Sequence, residues 1–307
     1  MTNGGPLQLQ LPDPLRLRTH VEALAAHERS NHDRHGEPMG YIDGVFAREG
    51  LQVNGHTYTY AGRVGINLLG RKQGAAGQPP LLVCAHYDSV EGSRGADDNA
   101  SGVAVMLECA RLLAPLRLGR AVDFVALDME ETQPEGEGLV GSRAFAREVA
   151  RERGYAGAFI LEMVGYASGQ GTQKLPPGFQ LLFPGVYQTL AKAGFPGNGL
   201  AAVSNKASAE LGRALAEAAR QGGTPLDVTL LPIPEGAPVP WDLFRSDHAS
   251  FWSAGIPAIL LTDTANYRNP HYHTAGDTPD TLDYDFMARV TAALAGALAG
   301  LGQATSA

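Results

Sequence analysis

Cysteine is nearly absent from this chain: there are two, Cys84 and Cys109, in 307 residues. So few exclude a disulfide framework. Cys84 lies in the run Leu81-Leu82-Val83-Cys84-Ala85 and Cys109 in a helical stretch, where both read as small buried hydrophobes. Positive charge is also scarce, with 24 Lys and Arg against 32 Asp and Glu and a formal net charge of −8. A nucleic-acid surface needs clustered Lys and Arg and is therefore not expected, whereas a metal ion or a substrate ammonium suits this balance. No run approaches the roughly 18 uninterrupted apolar residues of a membrane span. The opening MTNGGPLQLQLPDP has neither a basic n-region nor an apolar h-region. No signal peptide is expected from it, and a soluble, cytoplasmic protein is the simplest expectation. The G-x-S-x-G of serine hydrolases is missing too, which leaves Ser89 and Ser101 as weak nucleophile candidates.

What the chain does have is enough apolar residue, 44%, to bury a large core. The expected organisation is one domain over 1–307, with a loose Pro- and Gly-rich arm at 1–14. A helix is expected over 15–29, irregular chain over 30–56, then strands at Tyr58–Tyr60 and Val64–Leu69 and a turn-rich spacer at 72–80. Strand and helix alternate from there. Strands are predicted at Leu81–Ala85, Val122–Leu127, Ala158–Leu161, Val228–Ile233 and Ala258–Leu261, and helices at 100–113, 139–151, 207–220 and 284–301. That alternation implies an α/β fold, a mostly parallel mixed sheet sandwiched by helices. The Gly- and Pro-rich segment 167–202 reads as an insertion over one edge of the sheet, near the active site.

Ligands of such sheets bind at the carboxyl ends of the strands, and acids and histidines collect there in this sequence. His86-Tyr87-Asp88 follows the strand Leu81–Ala85, and Asp88 is placed to orient the imidazole of His86. Taken alone, His86 is more often a hydrogen-bonded histidine at a loop start than a ligand. Asp97 and Asp98 precede a helical stripe. One of the two can serve the helix N-terminus, while the other faces elsewhere, and Asp98 is the choice for a carboxylate shared by two metals. Glu130 and Glu131 follow Val122–Leu127. Paired acids at the end of an apolar strand are costly unless satisfied, and one can bind metal while its neighbour takes a proton from water. Glu162 ends another strand. Asn269-Pro270-His271-Tyr272-His273 offers two histidines on a Pro-containing loop, with Asp277 or Asp280 available to cap the last helix. Asp247-His248 reads as a helix start. Gly136-Glu137-Gly138-Leu139-Val140-Gly141 matches the spacing of a dinucleotide loop. Its glycines do not follow a strand directly, however, and the acids around it would repel a pyrophosphate, so a turn into a helix is expected instead. Two histidines and three carboxylates at strand ends suit two borderline-soft ions: zinc first, cobalt or manganese next.

The ordered set His86-x-Asp88, Asp98-Asn99-Ala100-Ser101-Gly102, Glu130-Glu131, Glu162 and His273 resembles the M28 family of zinc aminopeptidases, over about residues 80–290. The resemblance implies that Asp98 bridges two zinc ions. His86 and Glu162 would complete one site, Glu131 and His273 the other. Glu130 would be the general base, Tyr272 an oxyanion-stabilising hydroxyl and Asp88 the outer partner of His86. His273 is preferred over His271 because it precedes the Thr of the family's HT-x-x-D-T pattern. The implied activity is removal of N-terminal residues from peptides with a free N-terminus. The family usually has Asp where this chain has Glu162. The related glutaminyl cyclases share the fold and use one zinc, so a glutaminyl-peptide cyclotransferase is the alternative of the same fold, and a non-catalytic binding homologue that keeps the fold without the chemistry is the alternative of another class. Phe179, Phe183, Tyr187, Trp241 and Phe244 are expected either to form an apolar wall of the substrate pocket or to be core.

Overall fold

The runs LLVCAH and VDFVAL are too short for an ordinary helix and too apolar for a half-exposed strand, and both form strands buried along their whole length. The structure, a computed structural model, describes residues 9–30, 36–75, 77–221, 225–236 and 240–306. Its first half comprises α1 (Pro14–Leu24), α2 (Gly36–Arg48), β1 (Gln52–Tyr60), β2 (Arg63–Lys72), β3 (Leu81–His86), α3 (Gly102–Leu113), β4 (Leu116–Arg117) and β5 (Val122–Leu127). Next, α4 (Val140–Phe145) continues through a wider turn into α5 (Arg151–Arg153), followed by β6 (Gly157–Leu161), α6 (Phe179–Leu182) and α7 (Pro184–Lys192). The chain closes with β7 (Leu200–Ser204), α8 (Ala209–Gln221), β8 (Val228–Pro232), α9 (His248–Ser253), β9 (Ala258–Thr262), α10 (Tyr284–Leu301) and β10 (Thr305–Ser306).

Eight strands form one mixed sheet in the order β1-β2-β5-β3-β6-β9-β7-β8. Its centre, β5-β3-β6-β9, is parallel. β1 and β2 add antiparallel at one edge, and β7 runs antiparallel to β9 at the other, with β8 parallel to β7. Alternate residues of each central strand enter opposite cores. Leu81, Val83 and Ala85 pack under α1, α2, α3, α8 and α10, while Leu82 and Cys84 face Phe145, Ala150 and Phe251 on the other side. The α/β sandwich expected from the alternation is the one observed. Cys84 and Cys109 are both buried and free, in different cores on opposite faces of the sheet.

Four boundaries differ from expectation. The segment over 30–56 contains α2, whose Gly36, Pro38, Gly40 and Gly44 imitate a loop, while Ile42, Val45 and Phe46 bury a helical face. β1 begins at Gln52, earlier than Tyr58, because its partner is β2 and its polar residues face solvent. β7 begins at Leu200, inside the range read as insertion, which otherwise carries α6 and α7. Helix α1 starts at Pro14, within the expected arm, where the Asp13 side chain accepts from Leu15 N, and it ends at Leu24 rather than near 29. Beyond it, Arg29 is buried and donates to the carbonyls of Leu24, Tyr87, Arg94 and Gly95. That guanidinium ties the N-terminal helix to the loop running from His86 to Asp98. The rest of residues 1–14 is described only from Leu9 onward.

Candidate metal centre

Because β3, β5, β6 and β9 are parallel, their carboxyl ends open on one side, and the candidate residues gather there. His86 is the last residue of β3, Glu162 directly follows β6, and Glu130 and Glu131 come three and four residues after β5. Asp98 lies in the wound turn 96–101, where Asp98 and Asn99 leave helical dihedrals and the peptide between them is cis. Gly95 makes that turn possible. Its φ is +57°, and a Cβ there would sit 2.1 Å from the carbonyl oxygen of Asp98. Positive φ also occurs at Met129, before Glu130, at Met163, after Glu162, and at His273 itself. Such backbone is costly for side-chain-bearing residues and gathers where surrounding contacts force a geometry.

Two groups form. Ligand atoms of His86, Glu130 and Glu162 lie within 4.8 Å of one another, and so do those of Asp98, Glu131 and His273. Asp98 joins the groups: one oxygen is 3.3 Å from His86 Nε2 and the other 3.1 Å from His273 Nε2. His86 Nε2 is 3.5 Å from Glu162 Oε2, and His273 Nε2 is 3.5 Å from Glu131 Oε2. His271 stays out of both groups, its ring edge-on to Tyr166. Of the two histidines, His273 is the one whose ring nitrogen falls within such a group.

Second contacts fix these side chains. Asp88 lies 3.3 Å from His86 Nδ1 and also accepts from the backbone N–H of Glu130 and Glu131 at 3.1 Å each. One carboxylate thus orients the imidazole and positions both glutamates, leaving Nε2 of His86 toward the site. Asn99 donates to the carbonyl of Leu161 and accepts from Met163 N, bracing the chain on both sides of Glu162. Ser246 Oγ donates to Glu162 Oε2 at 2.8 Å. Asp277 accepts from the N–H groups of Asp97 and Asp98, so it braces the turn rather than capping α10, whose cap is Asp283. Asp280 instead pairs with Arg18. Asp97 also departs from expectation. It accepts from Gly165 N and Asn269 Nδ2, joining two loops instead of serving a helix end. Asp247 gives α9 no side-chain cap. Ser101 is a buried brace between Asp97 O and Val164 N, with no free path to a substrate. Sequence reasoning passed over Ser246 and Arg245 and gave Asn99, though part of the family motif, no role; only their three-dimensional neighbours reveal what these side chains do.

The electrostatics are those of a site short of positive charge. Burial, with repulsion from Glu162 and Glu131 added against the attraction of His86, holds the Glu130 carboxyl well above the ordinary range. Burial and Asp98 bring Glu131 to about 7. Burial works against the charged form of His273, yet its hydrogen bonds to Asp98 and Glu131 outweigh that and lift it to about 10. His86 is likewise raised, by Glu162 and Glu130 against its burial. Protons stand in for missing positive charge in such a cluster, and divalent cations can replace them. Two atoms support that fit: His86 Nε2 and Glu131 Oε1 are buried without an aligned hydrogen-bond partner among the described residues. Nitrogen and carboxylate donors of this kind match zinc.

Beside the two groups opens a cleft of about 510 Å³. Asp98, Glu130, Glu131, Glu162 and His273 line one end, and Leu175, Phe179, Val203, Leu231 and Leu260 line the other. Phe179, Trp241 and Phe244 line it as the aromatic wall expectation had it, whereas Phe183 and Tyr187 pack behind it in the apolar cluster. Tyr272 also faces the cleft, its ring stacked on that of His273 at 3.8 Å between centroids. The glycines of the dinucleotide-like stretch turn the chain back on itself into α4: Leu139 N donates to Glu130 O, and Val140 N to Met129 O. A Cβ on Gly138 would lie 2.7 Å from Glu130 O, so that position needs glycine for close approach.

Comparison with known proteins places this geometry. An uncharacterised protein of Escherichia coli, YfbL, is 33% identical over 91% of this chain and 85% of its own length. A probable zinc metalloprotease of Pyricularia oryzae is 25% identical over 91% of the chain, which spans 62% of that protein. Among solved structures, a leucine aminopeptidase precursor from Bacteroides thetaiotaomicron superposes with a TM-score of 0.69 at 19% identity, covering 95% of this chain and 98% of that one. A glutaminyl cyclase of the same bacterium superposes with 0.67 at 19% identity, covering 95% and 99%. These two likenesses establish a shared fold. Residues 67–298, most of the chain and all of the candidate centre, match the profile of peptidase family M28, and the chain belongs to that family.

Proposed function

We propose that this protein is a two-zinc aminopeptidase. The carrying observation is Asp98, whose two oxygens reach toward His86 and His273 in two adjacent ligand groups. His86, Asp98 and Glu162 would hold one ion, and Asp98, Glu131 and His273 the other. Zinc bound there supplies Lewis acidity that polarises a peptide carbonyl and acidifies a water molecule. Glu130, buried within ligand range of His86 and Glu162, accepts the proton of the attacking water and delivers it to the departing amine. Tyr272 donates to the oxygen of the attacked carbonyl. The carboxylates at this end of the cleft favour a free N-terminal ammonium, which makes the substrate a peptide with an unblocked N-terminus.

The apolar end of the cleft sets the residue removed. Leu175, Phe179, Val203 and Leu260 offer a leucine-sized side chain a dry surface and no buried charge. Ala201→Trp on β7 fills that space. Its expected effect is a loss of about 10- to 100-fold in preference for leucine amide over alanine amide, with alanine amide turnover retained. Equal losses on both substrates would move the pocket elsewhere.

Zinc titration of the metal-free chain tests the whole reading. Two equivalents are expected to bind and to restore leucine amide hydrolysis. Binding must displace protons from His86 and His273 and from the raised glutamates. Affinity therefore rises with pH from about 6 toward 9, and calorimetry in buffers of different ionisation enthalpy registers the released protons. A single equivalent with cyclisation of an N-terminal glutaminyl peptide would replace the aminopeptidase by a cyclotransferase. No zinc uptake would leave a binding homologue.

A further inference from the structure

Tyr272 owes its orientation to a second cleft residue, Arg245, at the end of the turn Trp241–Phe244. Arg245 Nη2 lies 2.6 Å from Tyr272 Oη, and the guanidinium carbon is 5.7 Å from the ring centroid. A guanidinium has donors and no acceptor, so Arg245 donates and the phenol oxygen accepts. The guanidinium is itself aimed: its other terminal nitrogen donates to Asp242 at 3.3 Å and to Asn266 at 3.5 Å. The ring is held on its face by His273.

A phenol whose oxygen is taken by a cation keeps its hydrogen for another acceptor. Electron density drawn toward the guanidinium makes that O–H the stronger donor. We propose that Arg245 is a positioning residue, which turns the Tyr272 hydroxyl hydrogen into the cleft and strengthens it as a donor to the negative oxygen formed at the attacked carbonyl. The proposal rests on the aminopeptidase reading. It adds that the oxyanion donor is a two-residue device contributed by two loops, one following β8 and one following β9. A purely structural alternative exists, in which Arg245 merely clasps these loops together.

The zinc-loaded full chain separates the two. Arg245→Met keeps the apolar stem and removes the donors. On leucine p-nitroanilide it is expected to lower kcat by about 10- to 100-fold with KM within about twofold, since the interaction is realised only as charge develops. Tyr272→Phe should cost at least as much, and the double variant no more than Tyr272→Phe alone. Arg245→Lys, with a cation on the same loop, should recover part of the loss and serves if the Met variant folds poorly. A readout free of turnover is the affinity for the phosphonic acid analogue of leucine, a tetrahedral anion, against that for leucinol. Arg245→Met should weaken the first by about tenfold or more and leave the second unchanged. Additive losses in the double variant, a raised KM at unchanged kcat, or equal weakening of both ligands would overturn the device and leave the clasp. A wild-type protein that turns over no aminoacyl amide would overturn the aminopeptidase reading instead, while the two ligands would still decide the role of Arg245.

Discussion

Glu130→Gln is expected to lower turnover of leucine amide by about 10²- to 10⁴-fold, the usual contribution of a positioned general base, while two zinc equivalents remain bound. The substitution keeps the shape of the side chain and one carbonyl oxygen but removes the ability to take a proton. Its setting argues for the effect. Glu130 is 8% exposed, its backbone N–H is held by Asp88, and it lines the cleft beside the candidate ligands. The same position distinguishes two roles. Glu130 stands within ligand range of His86 and Glu162, so a carboxylate that ligated zinc would take one equivalent with it when replaced. Metal content measured beside kcat therefore carries the decision. Turnover within about threefold of wild type, or loss of an equivalent of zinc, removes Glu130 from the role of base.

The parts of the site legible in the sequence are those where chemistry and position coincide. His86, Glu130, Glu131 and Glu162 all lie at or just past the ends of wholly buried strands, and although each alone allows an ordinary reading, their convergence on one side of the sheet points to a shared site. Asp98 is preferred over Asp97 because adjacent side chains diverge and only one is needed at the helix end, whereas His273 is singled out from His271 by the family pattern alone. What could not be read is the bracing. Asp277 reaches the backbone of Asp97 and Asp98 across 180 and 179 residues of sequence, and Ser246 reaches Glu162 across 84. Periodicity holds no trace of such contacts. Ser246 also bears on the unusual glutamate. The oxygen of Glu162 that accepts its hydroxyl is the one 3.5 Å from His86 Nε2, so the extra methylene is accommodated and the carboxylate still joins the cluster.

The fold shows the same division. β3, β5, β6 and β9 are buried on both faces and announce themselves as apolar runs. α2 and β1 do not, for opposite reasons. α2 spends three glycines and a proline on a helix held by tertiary burial of Ile42, Val45 and Phe46, which overrides local propensity. β1 is mostly polar because it needs only the ladder with β2 to exist. Neither supplies a residue of the candidate centre. The sheet centre that carries the candidate centre was therefore the most readable part of the chain.

Asp98→Ala should be the most damaging single change at the centre. Each proposed zinc ion would lose one of three protein ligands at once, because one oxygen of Asp98 faces His86 and the other His273. Zinc content is expected to fall from two equivalents to one or none, with leucine amide turnover reduced by about 10³-fold or more. Asp88→Ala gives the scale for comparison. It touches no ion in this scheme but orients His86 and holds the backbone N–H groups of Glu130 and Glu131, so a loss of about 10- to 100-fold in zinc affinity is expected there. The fold should survive both changes. The turn that carries Asp98 is held through backbone groups by Asp277 and Arg29, and the two cores contain neither side chain. Circular dichroism and thermal melting of the metal-free variants check that the chain is intact. An Asp98→Ala protein that is folded and still binds two zinc ions would show that the two groups bind independently, and the shared carboxylate would then have no part in holding them.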